Sequence, residues 1–592
     1  MKIQPADKRE LLKAAMGKIP CDLAVTNVRY VNVFTGEVYP ATVFVHQGFV
    51  VHVEDQDPAK ELSLAKQVID GENHFLIPGF IDAHIHIESS MMTPRNFARA
   101  VIPRGTTTVV TDPHEITNVF GEEAVHYMHD AGLDLPMRQF IDIPSCVPAV
   151  PGLENAGAVI DAAAVDRLAK LPNVIGLAEV MDFIGVVEGD DRMVDIIEAA
   201  EKNGLYIQGH MPGVENRRMF SAYLIGGPIC CHETRDTWEA VAKLRAGIHV
   251  DARESSITKN MADIMAGVRD HTFHDHLCFC TDDRESDDIL YVGHMDEVVR
   301  QAVKNGMDGI NAVKCATLNT AREIHMDNLG AVAPGYAADM LLVDNLSDFN
   351  VKSVFYMGQL VAKDGRLIAD IQDKPAEIEN RYSMNVPKLA LEAFRLKAPE
   401  GCGDKVKVNV LTYYSEELAI TRAVTEEIPV KNGFVDISSD PGLCYAMIIN
   451  RYGTGGRAFG LVRNFGLKKG ADGSTVSHDC HNLCIVFKDA ESGYAVYKAL
   501  VECGGGMACA DGNEITGLLR LQVGGLMSTL RPEQMAEQSD AMKKALNALG
   551  LPQKNPLLRI ATMALPVIPE AKFSDLGLVD VMAKKLIPIF PQ

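Results

Sequence analysis

Between about Ala24 and Asp70 apolar and polar residues alternate, as in "AVTNVRYVNVF" and "TVFVHQGFVVHVE", and Gly and Pro break the runs. That alternation predicts several antiparallel strands. From about Gly79 to Ala321 the rhythm changes. Short apolar runs ("TTTVVTDP", "NVIGLAEVMDF", "LYIQGH", "GPICCHE", "GIHVDARESS", "HLCFCTDD") are separated by helical stretches such as "RMVDIIEAAEKNG" and "MDEVVRQAVKNG". Apolar runs alternating with amphipathic helices predict parallel βα units. Eight such units make a barrel of roughly 250 residues. Strand-like alternation returns between Leu329 and Gly365. A polar stretch, "DKPAEIENRYSMNVPK", follows, and strands and helices mix beyond about Leu389.

These shifts predict an α/β fold. A (β/α)8 TIM-like barrel over residues 76–328 is inserted in a small β-sandwich domain, and a C-terminal α+β domain occupies residues 385–592. Residues 1–75 and 329–372 are the two parts of the β domain, although two independent β units would give the same pattern. The Gly-rich "GGGMACADG" lacks the Lys-Ser/Thr ending of a phosphate loop and reads as a turn. "GTGGRAFG" is a weak dinucleotide match without a clear βαβ context.

Composition narrows the class. A formal charge of −22 and a pI of about 5.3 argue against nucleic acid or an anionic membrane as partner. No run approaches the roughly 18–20 apolar residues of a membrane span, and the N-terminus lacks the apolar core of a signal peptide. The 13 Cys are scattered, which fits a reducing cytoplasm. A cytoplasmic enzyme acting on a small molecule is the expectation.

The chemistry begins at "PGFIDAHIHIESSMMTP". On a strand, residues two apart share a face. Phe80, Asp82, His84, His86 and Glu88 then point into the barrel, and Ile81, Ala83, Ile85 and Ile87 toward the outer helices. Two imidazoles so close inside a fold need a partner. Either ordinary hydrogen bonds or a divalent metal supplies it. Other strand ends tilt the choice. Glu179, His210, His232 and Asp282 each close an apolar run, at the end where barrels build active sites. Two metals fit this set: one on His84, His86 and Asp282, the other on His210 and His232, with Glu179 bridging. Carboxylates mixed with imidazoles suit Mn(II), Fe(II) or Zn(II).

"GFIDAHIHIESSMMTP", followed by ligands in this order, resembles the amidohydrolase superfamily. "GTTTVVTDPHEITNVFG", "GLAEVMDFIGVV", "GHMPG", "CTDDRESDDI", "APGYAADMLLV", "VSHDCHNL" and "LPVIPEAKFSDLGLVDV" resemble its bacterial-type adenine deaminase branch, and the resemblance spans nearly the whole chain. It implies hydrolytic deamination of adenine to hypoxanthine and ammonia by a metal-activated hydroxide. An N6-substituted adenine or a cyclic amide is the alternative substrate. Met211 stands where the branch usually has Ala, Cys230 and Cys231 replace the first residues of an SDHE-like run, and Cys480 interrupts the usual HDSHN. None of these changes touches a candidate ligand. Glu179 stands where many superfamily members carry a carboxylated Lys.

In such a reaction Asp282 would accept the water proton and pass it to the departing amine, with Glu88 or Glu233 protonating the ring nitrogen. Glu88 also fits as a cap for the next helix. Asp82 would orient a liganding His. His114, Asp283, Arg284, His478 and His481 are candidate substrate contacts, each equally readable as capping, ion-pairing or turn residues. The small zinc deaminases are excluded, because no P-C-x-x-C follows the "HIE" of His86–Glu88. Large barrels of this architecture often associate, which makes a homodimer or higher homo-oligomer the expectation.

Overall fold

The computed structural model describes residues 1–57, 59, 61–415, 420–568 and 570–591. Eight parallel strands form the barrel: β1 (Phe80–Ile85), β2 (Thr106–Thr111), β3 (Arg138–Ile143), β4 (Val174–Val180), β5 (Tyr206–Gly209), β6 (Cys230–Cys231), β7 (His249–Arg253) and β8 (Leu277–Cys280). β1 to β5 pair in sequence order, and so do β6 to β8. Two backbone bonds join the halves. Ile229 N–H donates to Ile207 O at 3.0 Å, and Asp282 N–H donates to His84 O at 3.0 Å, which seats Asp282 beside Ile85 and closes the circle.

The sequence explains these elements locally. β2 reads "TTTVVT", six β-branched residues bounded by Gly105 on one side and Asp112-Pro113 on the other. The helix Asp191–Lys202 starts where the Asp190 carboxylate accepts from the N–H groups of Arg192 and Met193. It buries Met193, Ile196, Ile197, Ala199 and Ala200 against the barrel wall. Among the described residues, no helix is long and apolar enough to cross a membrane.

A nine-stranded sheet flanks the barrel and holds strands from both of its sides. Phe75–Pro78, which leads into β1, pairs antiparallel with Met340–Val343, which follows the barrel. Not every strand is antiparallel, as the alternation predicts. Ala65–Asp70 and Phe75–Pro78 run parallel to Cys21–Asn32. Alternation reports which face is buried and is silent about direction.

The C-terminal region contains a second nine-stranded sheet with the helices Ala490–Cys503 and Pro532–Ala548 against it. The reading of "GGGMACADG" as a turn is corrected here. Gly504, at φ 85°, ends the helix, but Gly506–Asp511 is a strand paired with Ala471–Ser474 and Glu514–Arg520. The buried run Met507–Ala510 supplies the driving force. Glycine is required at 506 because a Cβ there would lie 2.0 Å from Leu519 O.

Candidate metal centre

His84, His86, Glu179, His210, His232 and Asp282 meet at the C-terminal mouth of the barrel. Second contacts fix two of the imidazoles. Gln208 Nε2 donates to Ala83 O at 2.7 Å, so its Oε1 faces His84 Nδ1 at 2.8 Å. His86 Nδ1 lies 3.0 Å from Asp112 O. Both Nδ1 atoms therefore carry hydrogen, which turns both Nε2 atoms toward the centre. Those two Nε2 atoms are 3.1 Å apart. At that separation either a proton or a cation lies between or beside them, and a divalent ion is such a cation.

The carboxylates complete the cradle. Asp282 Oδ1 lies 3.4 Å from His86 Nε2 and 3.8 Å from His84 Nε2. Asp282 adopts φ 54°, a left-handed backbone that Asp tolerates better than most residues. Glu179 straddles the centre. Its Oε1 faces His86 Nε2 at 3.4 Å and His114 Nδ1 at 3.7 Å. Its Oε2 faces His210 Nδ1 at 2.5 Å and His232 Nε2 at 3.0 Å. Donor atoms lie within 4.8 Å of one another in His84–His232–Asp282, in Glu179–His210–His232 and in His86–Asp112–His114–Glu179. The last draws in Asp112, which sequence reasoning missed.

Electrostatics follow from this crowding. Burial raises the Glu179 carboxyl, but the His210 charge and bonds to His210, His232 and His86 outweigh it and hold the group well below the usual range. Burial likewise raises Asp282, and Arg253 and His86 pull it well below. His84 is held far below an ordinary imidazole by burial and by the neighbouring His232 and His86. His86 is pushed well up, because Asp282 and Glu179 overcome its burial.

The remaining candidates divide. His114, Glu233, Asp283 and His478 line the cavity above the ligands. His114 Nε2 is 3.5 Å from Asp479 Oδ1. Glu233 forms an ion pair with Arg253, whose same nitrogen also bonds Asp282 Oδ2. Asp283 Oδ1 accepts from Ser89 Oγ at 2.7 Å. Glu88, Arg284 and His481 are not among the lining residues. β1 ends at Ile85, and Ile87–Ser90 is a single 3₁₀ turn, so the strand alternation stops before Glu88. Glu88 Oε1 accepts from Ile116 N–H at 3.2 Å, and burial beside Glu115 pushes its carboxyl up to about 8. The Arg284 guanidinium is fully buried on the carbonyls of Gly293 and Glu254. His481 packs 3.7 Å from Glu115.

The cavity holds about 140 Å³. The barrel supplies its floor, and Ala561, Thr562, Leu565, Val567 and Ile568 of the C-terminal region roof it. A larger depression of about 870 Å³, flanked by Arg99, Arg300 and Arg531, lies elsewhere and contains none of these residues.

Comparison with known proteins agrees with this geometry. Residues 75–361 match the amidohydrolase family, and residues 418–585 match the adenine deaminase C-terminal domain. A protein named adenine deaminase from Desulfatibacillum aliphaticivorans is 37% identical over 584 residues, covering 98% of this chain and 99% of its own. The chain belongs to the adenine deaminase family. Another so-named relative, from Methanothrix thermoacetophila, is 36% identical over 98% of this chain and 99% of its own length. "Adenine deaminase 3" of Rhizobium meliloti is 37% identical over 96% of each chain. Membership of the amidohydrolases implies a divalent metal centre, and the converging Nε2 atoms of His84 and His86 fit one.

Arg253, Asp112, Asp479 and Gln208 are the site residues that the sequence reading passed over. Arg253 ends β7 as Asp282 follows β8, but a search for metal ligands skips a cation. Gln208 sits two residues before His210 on the same strand face, a signal the spacing rule could have used.

Proposed function

We propose that this chain hydrolyses adenine to hypoxanthine and ammonia, with two divalent ions of the Mn(II), Fe(II) or Zn(II) class held by His84, His86, Asp282, His210 and His232 and bridged by Glu179. The observation carrying this reading is Glu179, whose two oxygens face two different sets of imidazoles. When bound, the ions supply Lewis acidity, which lowers the pKa of water from about 15.7 to about 7.

The chain's own residues do the rest. Asp282 holds an ionised oxygen at the centre and takes the proton released as water attacks C6 of the purine. The proton then passes to the departing amine. Glu233 lines the same cavity and protonates the ring nitrogen beside C6. Arg253 touches both carboxylates and keeps each aimed at the cavity. Burial raises Glu233, but Arg253, His210 and His232 outweigh it and hold it low, so Glu233 must take up a proton before it donates one to the ring nitrogen. Leu565 and Ile568 cover the base with apolar surface and exclude bulk water. The cavity suits a base without its sugar.

Ammonia release from adenine, N6-methyladenine, adenosine and dihydroorotate tests the assignment. Rapid metal-dependent release from adenine, lost in Glu179→Gln and Asp282→Asn, is the expected result. Turnover of another member of the panel with adenine untouched would overturn the substrate and leave the centre standing.

A further inference from the structure

The barrel interior carries a second set of ligand-type side chains at the end opposite this centre. His249, Asp251 and Arg253 share one face of β7, and Cys278, Cys280 and Asp282 share the matching face along β8. They stack in layers, as side chains inside a barrel do. Arg253 and Asp282 form the top layer. His249 lies four residues below Arg253, about 13 Å at ~3.3 Å per residue.

Three donors meet at this floor. His249 Nδ1 is 4.0 Å from Cys278 Sγ. One ligand atom from each of His249, Cys278 and Glu323 lies within 4.8 Å of the other two. Glu323 ends the short helix Thr320–Glu323 beneath the barrel. Asp251 and Cys230 stand against the same carboxylate. Asp251 is 0% and Glu323 1% exposed, and no backbone or amide donor among the described residues reaches any of their four carboxylate oxygens, whose close neighbours are each other and the Cys230 and Cys278 thiols. Two buried carboxylates facing each other are costly unless a cation or a shared proton joins them.

We propose that His249, Cys278 and Glu323 form a separate site for one borderline-soft transition metal of the Zn(II) class, its fourth position filled by Asp251, Cys230 or water. Imidazole, thiolate and carboxylate donors together are a zinc set, not a magnesium or calcium one. Tetrahedral bonds of ~2.3 Å to sulfur and ~2.05 Å to nitrogen place those atoms about 3.6 Å apart. The 4.0 Å observed closes to that with a small side-chain rotation. Burial and the charges of Glu323 and Asp251 raise the Cys278 thiol well above its ordinary range, so its proton leaves to solvent only as the cation arrives. His249 is partly exposed, which gives the ion a way in, and its ring stacks on His276 at 4.1 Å.

Cobalt reports this site selectively, because the centre at the barrel mouth offers no cysteine among its candidate ligands. The full-length protein, stripped of metal, is reloaded with Co(II), desalted and examined for a thiolate-to-cobalt charge-transfer band and for metal per chain. The expected result is a band in the wild type and in Glu179→Gln. Cys278→Ser and His249→Gln should lose the band together with one metal equivalent. His249→Gln alters a partly exposed residue and guards against misfolding of the cysteine variant. A wild type without the band overturns the proposal. So does a band that survives in His249→Gln at unchanged metal content, or one that disappears in Glu179→Gln.

Discussion

Replacing Arg253 with Met removes a cation that touches both Glu233 and Asp282. Arg253 is 5% exposed, and Asp282 is 4% exposed. Breaking a buried pair by deleting one partner costs about 3–5 kcal/mol, because the abandoned charge stays buried. For a unit of barrel size each kcal/mol moves the unfolding temperature by about 2–4 °C. The expected drop is therefore about 6–20 °C near neutral pH. The pH dependence has a definite sign. Arg253, with nearby imidazoles, holds both carboxylates below their unfolded values, so the stability they contribute is present above the unfolded pKa and is lost as pH falls through the folded one. Acidification should therefore narrow the gap between wild type and Arg253→Met. Loading with metal should narrow it too, since the ions balance Asp282. Arg253→Lys keeps a charge within reach and should recover part of the loss. Thermal unfolding followed by circular dichroism, on chelated and loaded protein from neutral pH down through the ordinary carboxylate range to about pH 3, measures all of this. An Arg253→Met variant that unfolds with the wild type, or a gap indifferent to pH, would refute the bridging role.

Other consequences are equally specific. Gln208→Leu removes the acceptor that sets the His84 tautomer and should weaken metal binding about 10–100-fold in a competition titration, without unfolding the chain. Glu233→Gln should lower kcat/KM for adenine about 10²–10⁴-fold, whereas Glu88→Gln, away from the cavity, should leave it near wild type. Glu88, raised from 4.5 to about 8, makes the wild type lose stability as pH climbs between those values, and Glu88→Gln should flatten that slope in denaturant melts. Trimming the roof with Leu565→Ala and Ile568→Ala should raise KM more than it lowers kcat, because these side chains cover the base and donate nothing to the reaction.

How much of this the sequence discloses depends on the kind of signal. The ends of apolar runs mark the mouth of a barrel, so Glu179, His210, His232 and Asp282 are found by position and residue type alone. Glu88 shows the limit of that rule. The strand ends at Ile85 and the backbone turns into the 3₁₀ segment Ile87–Ser90, so the two-residue period does not reach Glu88. Arg253 and Gln208 escape because each contacts a candidate ligand, Asp282 and His84, without being a ligand-type residue itself. The roof residues Leu565 and Ile568 lie more than 280 positions beyond Asp282, and no local pattern announces which apolar residues will close a distant cavity. Strand direction in the N-terminal sheet was hidden for a similar reason, since pairing partners are chosen by long connections.

The central claim is that Glu179 joins two metal sites at which adenine loses its amino group. Chelated wild-type protein and Glu179→Gln, titrated with Mn(II) or Fe(II) while ammonia release from adenine is followed, test it directly. Activity absent at the start, restored as metal is added to the wild type and not restored in Glu179→Gln, is the predicted result. Full activity in the chelated protein, or restored activity in Glu179→Gln equal to wild type, would contradict it.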